Sequence, residues 1–243
     1  MRYQGGKHRN AKFIVPILKE VRGSSNVMYL EPFVGGGNIF HLMDNPKIGS
    51  DVDKDVVSLW SAVSKGWLPP KRRSPLSPRG YNNIKSRSLL GTFEDEALAG
   101  MIAFGCSICG RKWGGLGHVS VTRPNAPDFY ESSRRAVIRQ SEGFVGSCVE
   151  CRDYAVYDAR YCYNRFGPML VYCDPPYHGT LGYGHSFNTA EFWSWVYEMS
   201  KFHAVFVSEY SAPDFMVCVW SRERLQGINL KHRVEKLWGA PMR

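Results

Sequence analysis

The chain has 243 residues, 44% of them hydrophobic, and a formal net charge of +9 at pH 7. This length allows one substantial hydrophobic core with a smaller insert, and no stretch approaches the roughly 20 apolar residues that a membrane span requires. The first residues lack the apolar segment of a secretory signal, and the odd total of seven cysteines argues against a disulfide framework. The sequence therefore predicts a cytoplasmic protein without a membrane partner, and its positive charge agrees with a nucleic-acid partner.

The first predicted elements are a strand and a glycine turn. Apolar Met28–Leu30 precedes the run Glu-Pro-Phe-Val-Gly-Gly-Gly-Asn of residues 31–38, and a helix is predicted from Ile39. This order is typical of the first βα unit of a nucleotide-binding sheet, in which glycines let the backbone approach a ligand closely. The spacing is not the full dinucleotide fingerprint, so the turn by itself is weak evidence.

A second short strand, Ile48–Asp53, ends in acidic residues. They lie roughly 15 residues after the glycines, near the position where a carboxylate commonly accepts hydrogen bonds from both ribose hydroxyls. Asp51 and Asp53 are both candidates for this role. The alternative is a helix N-cap or a solvated turn, and it applies more to Asp53 than to Asp51.

The middle of the chain is basic and differs in composition from its flanks. Residues 67–80 are rich in proline and cations, which indicates a boundary. Apolar residues then recur at helical spacing over Glu94–Phe104, and a glycine-rich loop follows over residues 105–117. Residues 61–150 hold 13 Lys and Arg against 7 Asp and Glu. Such a patch gives affinity for phosphates without sequence information, and solubility is the alternative reason for a basic surface.

Two C-x-x-C pairs, Cys106/Cys109 and Cys148/Cys151, raise the alternative of a four-thiolate zinc site. The 38 residues between the pairs exceed the usual zinc-ribbon gap. Alternation along 144–154, which is predicted to be a strand, places the second pair on opposite faces. We therefore prefer reduced cysteines and no bound metal.

The most informative stretch is Cys173–Tyr177, Cys-Asp-Pro-Pro-Tyr, which follows the predicted strand Met169–Tyr172. Proline fixes φ and favours extended geometry in the residue before it, so the carbonyls of Asp174 and Pro175 are held stiffly. A planar amine bound here meets a carboxylate and a backbone carbonyl as acceptors, with Tyr177 to stack on its ring. The run thus points to methylation of an exocyclic amino group, and a plain Pro-Pro turn is the alternative. An amphipathic helix, Phe192–Met199, and a buried strand, His203–Ser208, are predicted to follow.

Four ordered motifs resemble the Dam-type DNA adenine N6-methyltransferases. They are Arg2–Lys7, Glu31–Gly37, Ser50–Asp53 and Asp174–Tyr177, and two further stretches, Phe206–Tyr210 and Val234–Trp238, resemble small phage-encoded members. The matches extend from Tyr3 to Trp238, and the middle of the chain is matched least. Gln4 stands where many relatives have a small residue, and Tyr3 stands where tryptophan is frequent, so an aromatic side chain is retained.

The resemblance implies an α/β fold with a Rossmann-like, mostly parallel sheet, that of a class I S-adenosylmethionine-dependent methyltransferase. It implies cofactor contacts from the N-terminal motif, the glycine turn, the ribose acid, an acidic-aromatic pair and the catalytic aspartate. These residues are Tyr3, Gly5, Gly6, Lys7, Phe33, Gly35, Gly37, Asp51, Asp153, Tyr154 and Asp174. The implied catalytic residues are Asp174, Pro175, Pro176 and Tyr177, with Tyr177 stacking on a base rotated out of the duplex.

Residues 61–145 are interpreted as a target-recognition insert in a catalytic domain formed by residues 1–60 and 146–243. The candidate DNA-binding side chains are the cations and the indole of the glycine-rich loop and the arginines that follow it. They are Arg111, Lys112, Trp113, Arg123, Arg134, Arg135 and Arg139.

The predicted activity is transfer of a methyl group from S-adenosyl-L-methionine to adenine N6 in a specific sequence of double-stranded DNA. We expect a monomer or weak dimer, in the host cytoplasm if the protein is phage-encoded, as in restriction-modification. The alternatives are transfer to cytosine N4, to RNA or to a protein amide, and an inactive or zinc-bearing DNA-binding protein on the same fold.

Overall fold

The computed structural model describes residues 1–117, 128–176, 187–226 and 231–240. Its α-helices are α1 (Ala11–Arg22), α2 (Lys54–Ser64), α3 (Pro78–Leu89), α4 (Glu96–Gly105), α5 (Phe129–Ser141), α6 (Ala159–Phe166) and α7 (Thr189–Ser200). Its strands are β1 (Tyr29–Glu31), β2 (Lys47–Asp51), β3 (Cys148–Cys151), β4 (Leu170–Cys173), β5 (Ala204–Glu209), β6 (Val217–Gln226) and β7 (Lys231–Ala240). Short 3-10 turns lie at Phe40–Leu42, Ile108–Gly110, Glu142–Phe144 and Tyr154–Val156.

Within the described residues the strands form one sheet in the order β3-β2-β1-β4-β5-β7-β6. The first five are parallel, whereas β7 runs antiparallel to both β5 and β6. The chain order reverses between β1 and β4, and in sheets of this kind ligands bind beyond the carboxyl ends of the strands at such a switch point. The predicted Rossmann-like, mostly parallel α/β fold is confirmed.

The strands predicted from apolar runs are confirmed, but the helix predicted from Ile39 is wrong. The chain makes only the 3-10 turn Phe40–Leu42 before Met43 becomes extended. Pro46 explains why the helix does not continue, because proline disfavours helical geometry in the residue before it. The first full helix after a strand of the sheet is α2, whose N-cap Asp53 accepts a hydrogen bond from the Asp55 N–H at 2.9 Å.

The predicted insert shares its hydrophobic core with the sheet. A single cluster of buried side chains includes Tyr29 and Tyr172 from the sheet together with Tyr81, Met101 and Val137 from α3, α4 and α5. The helices of the predicted insert are therefore packed in the same core as the sheet, with α4 lying directly on α2.

Gly100 shows how closely α4 approaches α2. A Cβ atom placed on Gly100 would lie 2.1 Å from the carbonyl oxygen of Asp55, far inside contact distance. Only glycine fits at such a crossing, so the relative position of α2 and α4 is fixed by this residue. The start of α2 and the loop after α4 are consequently held beside each other.

The other face of the sheet is covered by α6 and α7. Phe192, Val196 and Met199 of α7 pack on Val171 of β4 and Val205 of β5 in a second buried cluster. The predicted helix over Phe192–Met199 is confirmed. Among the described helices, none combines the length and the hydrophobicity needed to pass through a bilayer.

Candidate active site

A cavity of about 500 Å³ opens at the carboxyl edge of the sheet. Glu31 ends β1, Asp51 ends β2 and Asp174 follows β4, and all three line the cavity. The volume lies in the range of roughly 300–1,000 Å³ typical of small-molecule pockets. The topology thus brings together acids that are far apart in the sequence.

The glycine turn forms one wall of the cavity. Gly35 has a positive φ of 46°, and a Cβ atom on it would lie 2.8 Å from the ring of Tyr3, so the turn requires glycine here. The Gly35 N–H donates to the Asp51 carboxylate at 2.9 Å, and its carbonyl accepts from the Trp60 indole at 2.9 Å. Turn, acid and helix α2 are therefore held as one unit.

Asp51 is buried and accepts two backbone hydrogen bonds. One comes from Gly35, and the other comes from the Asp53 N–H at 2.9 Å. Burial raises the pKa of Asp51 to about 6, although these two hydrogen bonds act to lower it. The carboxylate is thus fixed in orientation and retains further lone pairs for a ligand hydroxyl.

The N-terminal motif reaches the catalytic motif through Lys7. The Lys7 ammonium lies 2.6 Å from the Asp174 carboxylate, and it also donates to the carbonyl of Gly5 at 3.1 Å. Burial acts to lower the pKa of Lys7, but Asp174, Tyr172 and Glu235 together outweigh it and raise the pKa overall, with the largest share from Asp174. The pair joins residues 167 positions apart, since it links the loop before α1 to the end of β4.

Asp174, Pro175 and Pro176 line the cavity directly after β4. Their position at the edge of the sheet agrees with the predicted strand-end site. Tyr177, the predicted stacking residue, lies outside the described residues.

An aromatic wall closes another side of the cavity. The rings of Phe33 and Tyr154 lie 5.5 Å apart, and Phe187 lies 6.0 Å from each of them. Asp153 precedes Tyr154 and caps the 3-10 turn by accepting from the Ala155 N–H at 2.8 Å. Both members of the predicted acidic-aromatic pair therefore line the cavity.

All predicted cofactor residues line the cavity except Gly37. Gly37 has a φ of 65°, and a Cβ atom on it would lie 2.7 Å from the ring of Phe144. Its small size allows close packing against Phe144 and Trp60, and its predicted cofactor contact stays a prediction.

Two predicted DNA-binding residues of the glycine-rich loop have other partners. Trp113 is 8% exposed and packs edge-on against Tyr81 with ring centroids 5.6 Å apart, so its indole belongs to the core. Lys112 lines the cavity, and its ammonium lies 2.7 Å from Asp53 and 2.9 Å from Asp55. In the structure one of these two side chains is thus buried and the other is bound by carboxylates.

Four of the remaining predicted DNA-binding residues are described, and they lie outside the cavity. Arg134 and Arg135 both pair with Glu131 at 2.8 Å, and these pairs are local to α5. Arg111 and Arg139 are exposed. Arg123 lies outside the described residues.

Sequence reasoning missed two acids of the site, Glu31 and Glu235. Glu31 is 2% exposed, accepts a hydrogen bond from the Tyr29 hydroxyl at 2.6 Å, and has its pKa raised well above the usual value by burial. Glu235 lines the cavity from β7 and is hydrogen-bonded by the Asn10 amide. Glu31 is the last residue of β1 and precedes the glycine turn. This position at the end of a strand is the feature of the sequence that could have predicted its place in the site.

The cysteine pairs do not form a metal site in the described part of the chain. Cys106 is buried after α4, whereas Cys148 and Cys151 are exposed on the edge strand β3. No group of three or more His, Cys, Asp or Glu side chains there is arranged to hold a metal ion.

The first part of the chain is similar to a known family. Residues 3–74 match the model of the D12 class N6 adenine-specific DNA methyltransferases. This segment contains the N-terminal motif, the glycine turn and Asp51, which line the cavity, and it also contains α2. The resemblance seen in the sequence is confirmed, and the match supports an adenine-specific DNA methyltransferase.

Solved structures resemble the chain at low identity. The rRNA methyltransferase aviRa from Streptomyces viridochromogenes is 14% identical, with 98% of this chain and 86% of that chain covered and a TM-score of 0.41. PH1948 from Pyrococcus horikoshii, assigned as an RNA methyltransferase, is 10% identical, with coverage of 96% and 84% and a TM-score of 0.45. SMU.472, assigned as a methyltransferase and solved with SAH, is 10% identical, with coverage of 100% and 54% and a TM-score of 0.36. No curated protein matches the sequence significantly.

Proposed function

From the D12-class match of residues 3–74, we propose that this chain transfers a methyl group from S-adenosyl-L-methionine to N6 of an adenine in double-stranded DNA. One observation carries the proposal. Asp174, held by Lys7, opens into the same cavity as Asp51 and the glycine turn. A carboxylate for a target amine and a carboxylate for a nucleoside thus belong to one enclosed site.

The residues present fit the proposed cofactor. Asp51 is placed to accept from the ribose hydroxyls, and the wall of Phe33 and Tyr154 suits an adenine ring. Tyr3, packed on the glycine turn, and the N-terminal loop would border the methionine part. When bound, S-adenosylmethionine supplies a methyl group on a sulfonium centre.

The proposed chemistry rests on orientation rather than on a covalent intermediate. The lone pair of adenine N6 is delocalised into the ring, so the free amine is a poor nucleophile. Hydrogen bonds from its two N–H groups to Asp174 and to the Pro175 carbonyl would favour a tetrahedral nitrogen aimed at the methyl group. Lys7 stabilises the carboxylate form of Asp174, which suits an acceptor. The proton can leave after the methyl has been transferred.

The target base must leave the duplex to enter a cavity of this depth. We keep Tyr177 as the proposed stacking residue, and stacking of a base on an aromatic ring contributes about 1–3 kcal/mol. Residues 61–145 remain the proposed target-recognition insert, although its helices share the core of the sheet. Arg111 and Arg139 remain the exposed insert cations proposed to contact DNA.

Sequencing of modified bases tests the proposal in cells. DNA from cells expressing the wild-type protein should contain N6-methyladenine in one sequence context, and DNA from cells expressing Asp174→Ala should contain none. Methylcytosine in place of N6-methyladenine would contradict the choice of base. If a folded wild-type protein modifies neither base, the proposed DNA substrate is wrong. RNA from the same cells is then tested for methylation.

A further inference from the structure

A cluster of cations and aromatic rings lies on α1 and β6, outside the cavity. The Lys12 ammonium and the Arg222 guanidinium each lie 5.0 Å from the centre of the Phe13 ring. The indole of Trp220 stacks on the same ring, with centroids 5.7 Å apart and an angle of 23°. We call these four residues the basic rim.

The basic rim lies at the edge of the sheet where the cavity opens. In the β5–β7 pairing Lys236 is opposite Glu209, the last residue of β5, so the part of β7 before Lys236 extends beyond the carboxyl edge. Arg222 is opposite Glu235 in the β6–β7 pairing, and Glu235 lines the cavity. The Asn10 amide, one residue before α1, contacts Glu235. The rim therefore borders the mouth beside Lys7 and Asp174.

The rim cations differ from three of the cations predicted to bind DNA in the insert, Lys112, Arg134 and Arg135. Lys12 and Arg222 are exposed, and in the described part of the chain no carboxylate pairs with either. Lys112, Arg134 and Arg135 are each bound by a carboxylate. A cation held against an aromatic face keeps its N–H donors for another acceptor.

The basic rim combines two exposed cations with two aromatic rings. Such a combination matches the phosphate backbone of a nucleic acid.

We propose that the basic rim binds the phosphate backbone of duplex DNA beside the target base. This inference rests on the proposed function, because it assumes that DNA lies across the cavity mouth. Lys12 and Arg222 would contact phosphates and so position the duplex without reading its sequence. The proposal adds a second DNA surface to the one proposed for the insert.

The test compares two double variants with the same loss of charge. Lys12→Ala/Arg222→Ala removes the rim cations, and the control Lys19→Ala/Arg135→Ala removes exposed cations that pair with Asp44 and Glu131. Binding of a labelled DNA duplex is measured by anisotropy between 50 and 200 mM salt. For the rim variant we expect the slope of log Kd against log salt to decrease by about 1.8, since each phosphate contact contributes about 0.9. The control should change the slope by less than half as much.

Three results would overturn the assignment. These are an unchanged slope in the rim variant, an equal change in the control, and tighter binding of the wild type to duplex RNA than to duplex DNA. Binding of S-adenosylhomocysteine verifies the fold of each variant, and Lys12→Gln/Arg222→Gln carries the same measurement if the alanine variant unfolds. If the wild type methylates DNA but the rim variant has an unchanged slope of log Kd against log salt, only the proposed DNA binding by the basic rim is overturned. A wild type that neither binds nor methylates DNA would overturn the proposed function itself.

Discussion

Two lysine–aspartate pairs border the same cavity, and they differ in burial and in partners. The Lys7 ammonium lies 2.6 Å from the Asp174 carboxylate, and the two side chains are 5% and 19% exposed. Lys112 is 36% exposed and is shared between Asp53 and Asp55, at 2.7 and 2.9 Å. The first pair lies at the proposed reacting atoms, whereas the second closes the loop after α4 against the start of α2.

The two pairs therefore differ in how much each contributes to the stability of the fold. A buried pair costs desolvation on formation, and removing one partner leaves an uncompensated charge, which destabilises by about 3–5 kcal/mol. A pair near the surface is screened by solvent and contributes about 0.2–1 kcal/mol. We therefore expect Lys7 to be tied to catalysis and Lys112 to cofactor retention.

Loss of the buried pair should have the largest effect. Lys7→Met removes the ammonium that lies 2.6 Å from Asp174, so the carboxylate loses this charge compensation and this positioning contact. We expect kcat for methyl transfer to fall by about 10²-fold or more, the scale of effect that follows from misplacing a catalytic group. Steady-state kinetics on a DNA duplex measures this change. A variant whose kcat stays within about twofold of the wild type, with only KM raised, would show that Lys7 serves binding alone.

Asp51 connects the glycine turn to Asp53, which pairs with Lys112. We expect its ionisation to have an intermediate effect on ligand affinity. Its pKa is raised to about 6, so the carboxylate needed for ribose hydroxyls is present above pH 6 and is lost as the pH falls through this value. Affinity for S-adenosylhomocysteine should fall about tenfold between pH 7 and pH 5, since each unit below the pKa removes about tenfold of the ionised form.

Calorimetric titration at several pH values checks this expectation. The matched control is Asp51→Asn. This variant should bind S-adenosylhomocysteine weakly, and its affinity should not change with pH over the same range. If the wild-type profile is flat as well, the role of Asp51 in ligand binding is contradicted.

Breaking the contacts of Lys112 with Asp53 and Asp55 should have the smallest effect on ligand affinity. Lys112→Ala is expected to weaken S-adenosylhomocysteine about two- to fivefold, the consequence of losing about 0.5–1 kcal/mol at a partly exposed pair. Asp55 contacts Lys112 but does not line the cavity, so Asp55→Asn is the matched partner for a double-mutant cycle. The effects of Lys112→Ala and Asp55→Asn on the free energy of S-adenosylhomocysteine binding should not add in the double variant. The salt dependence of DNA binding should stay unchanged. A reduced salt slope would instead return Lys112 to the DNA surface.

The sequence predicted most of the parallel sheet, because its strands are short apolar runs that end in glycine or acid. It also predicted that Lys7, Asp51 and Asp174 share a site, through their motifs. It did not predict the roles of Lys112 and Trp113, since a basic-aromatic loop looks the same whether it faces solvent or the core. Asp53 lies 59 residues from Lys112, and only the close crossing of α2 and α4 at Gly100 brings them together.

The central claim is that Asp174 directs methyl transfer to adenine N6, and purified protein tests it most directly. Wild type and Asp174→Ala are incubated with duplex DNA and S-adenosylmethionine, and the nucleosides are separated by mass after digestion. The account predicts N6-methyladenine from the wild type and at least about 10³-fold less from the variant, with DNA binding retained in both. Equal methylation by the two proteins, or methylation of cytosine, would contradict it.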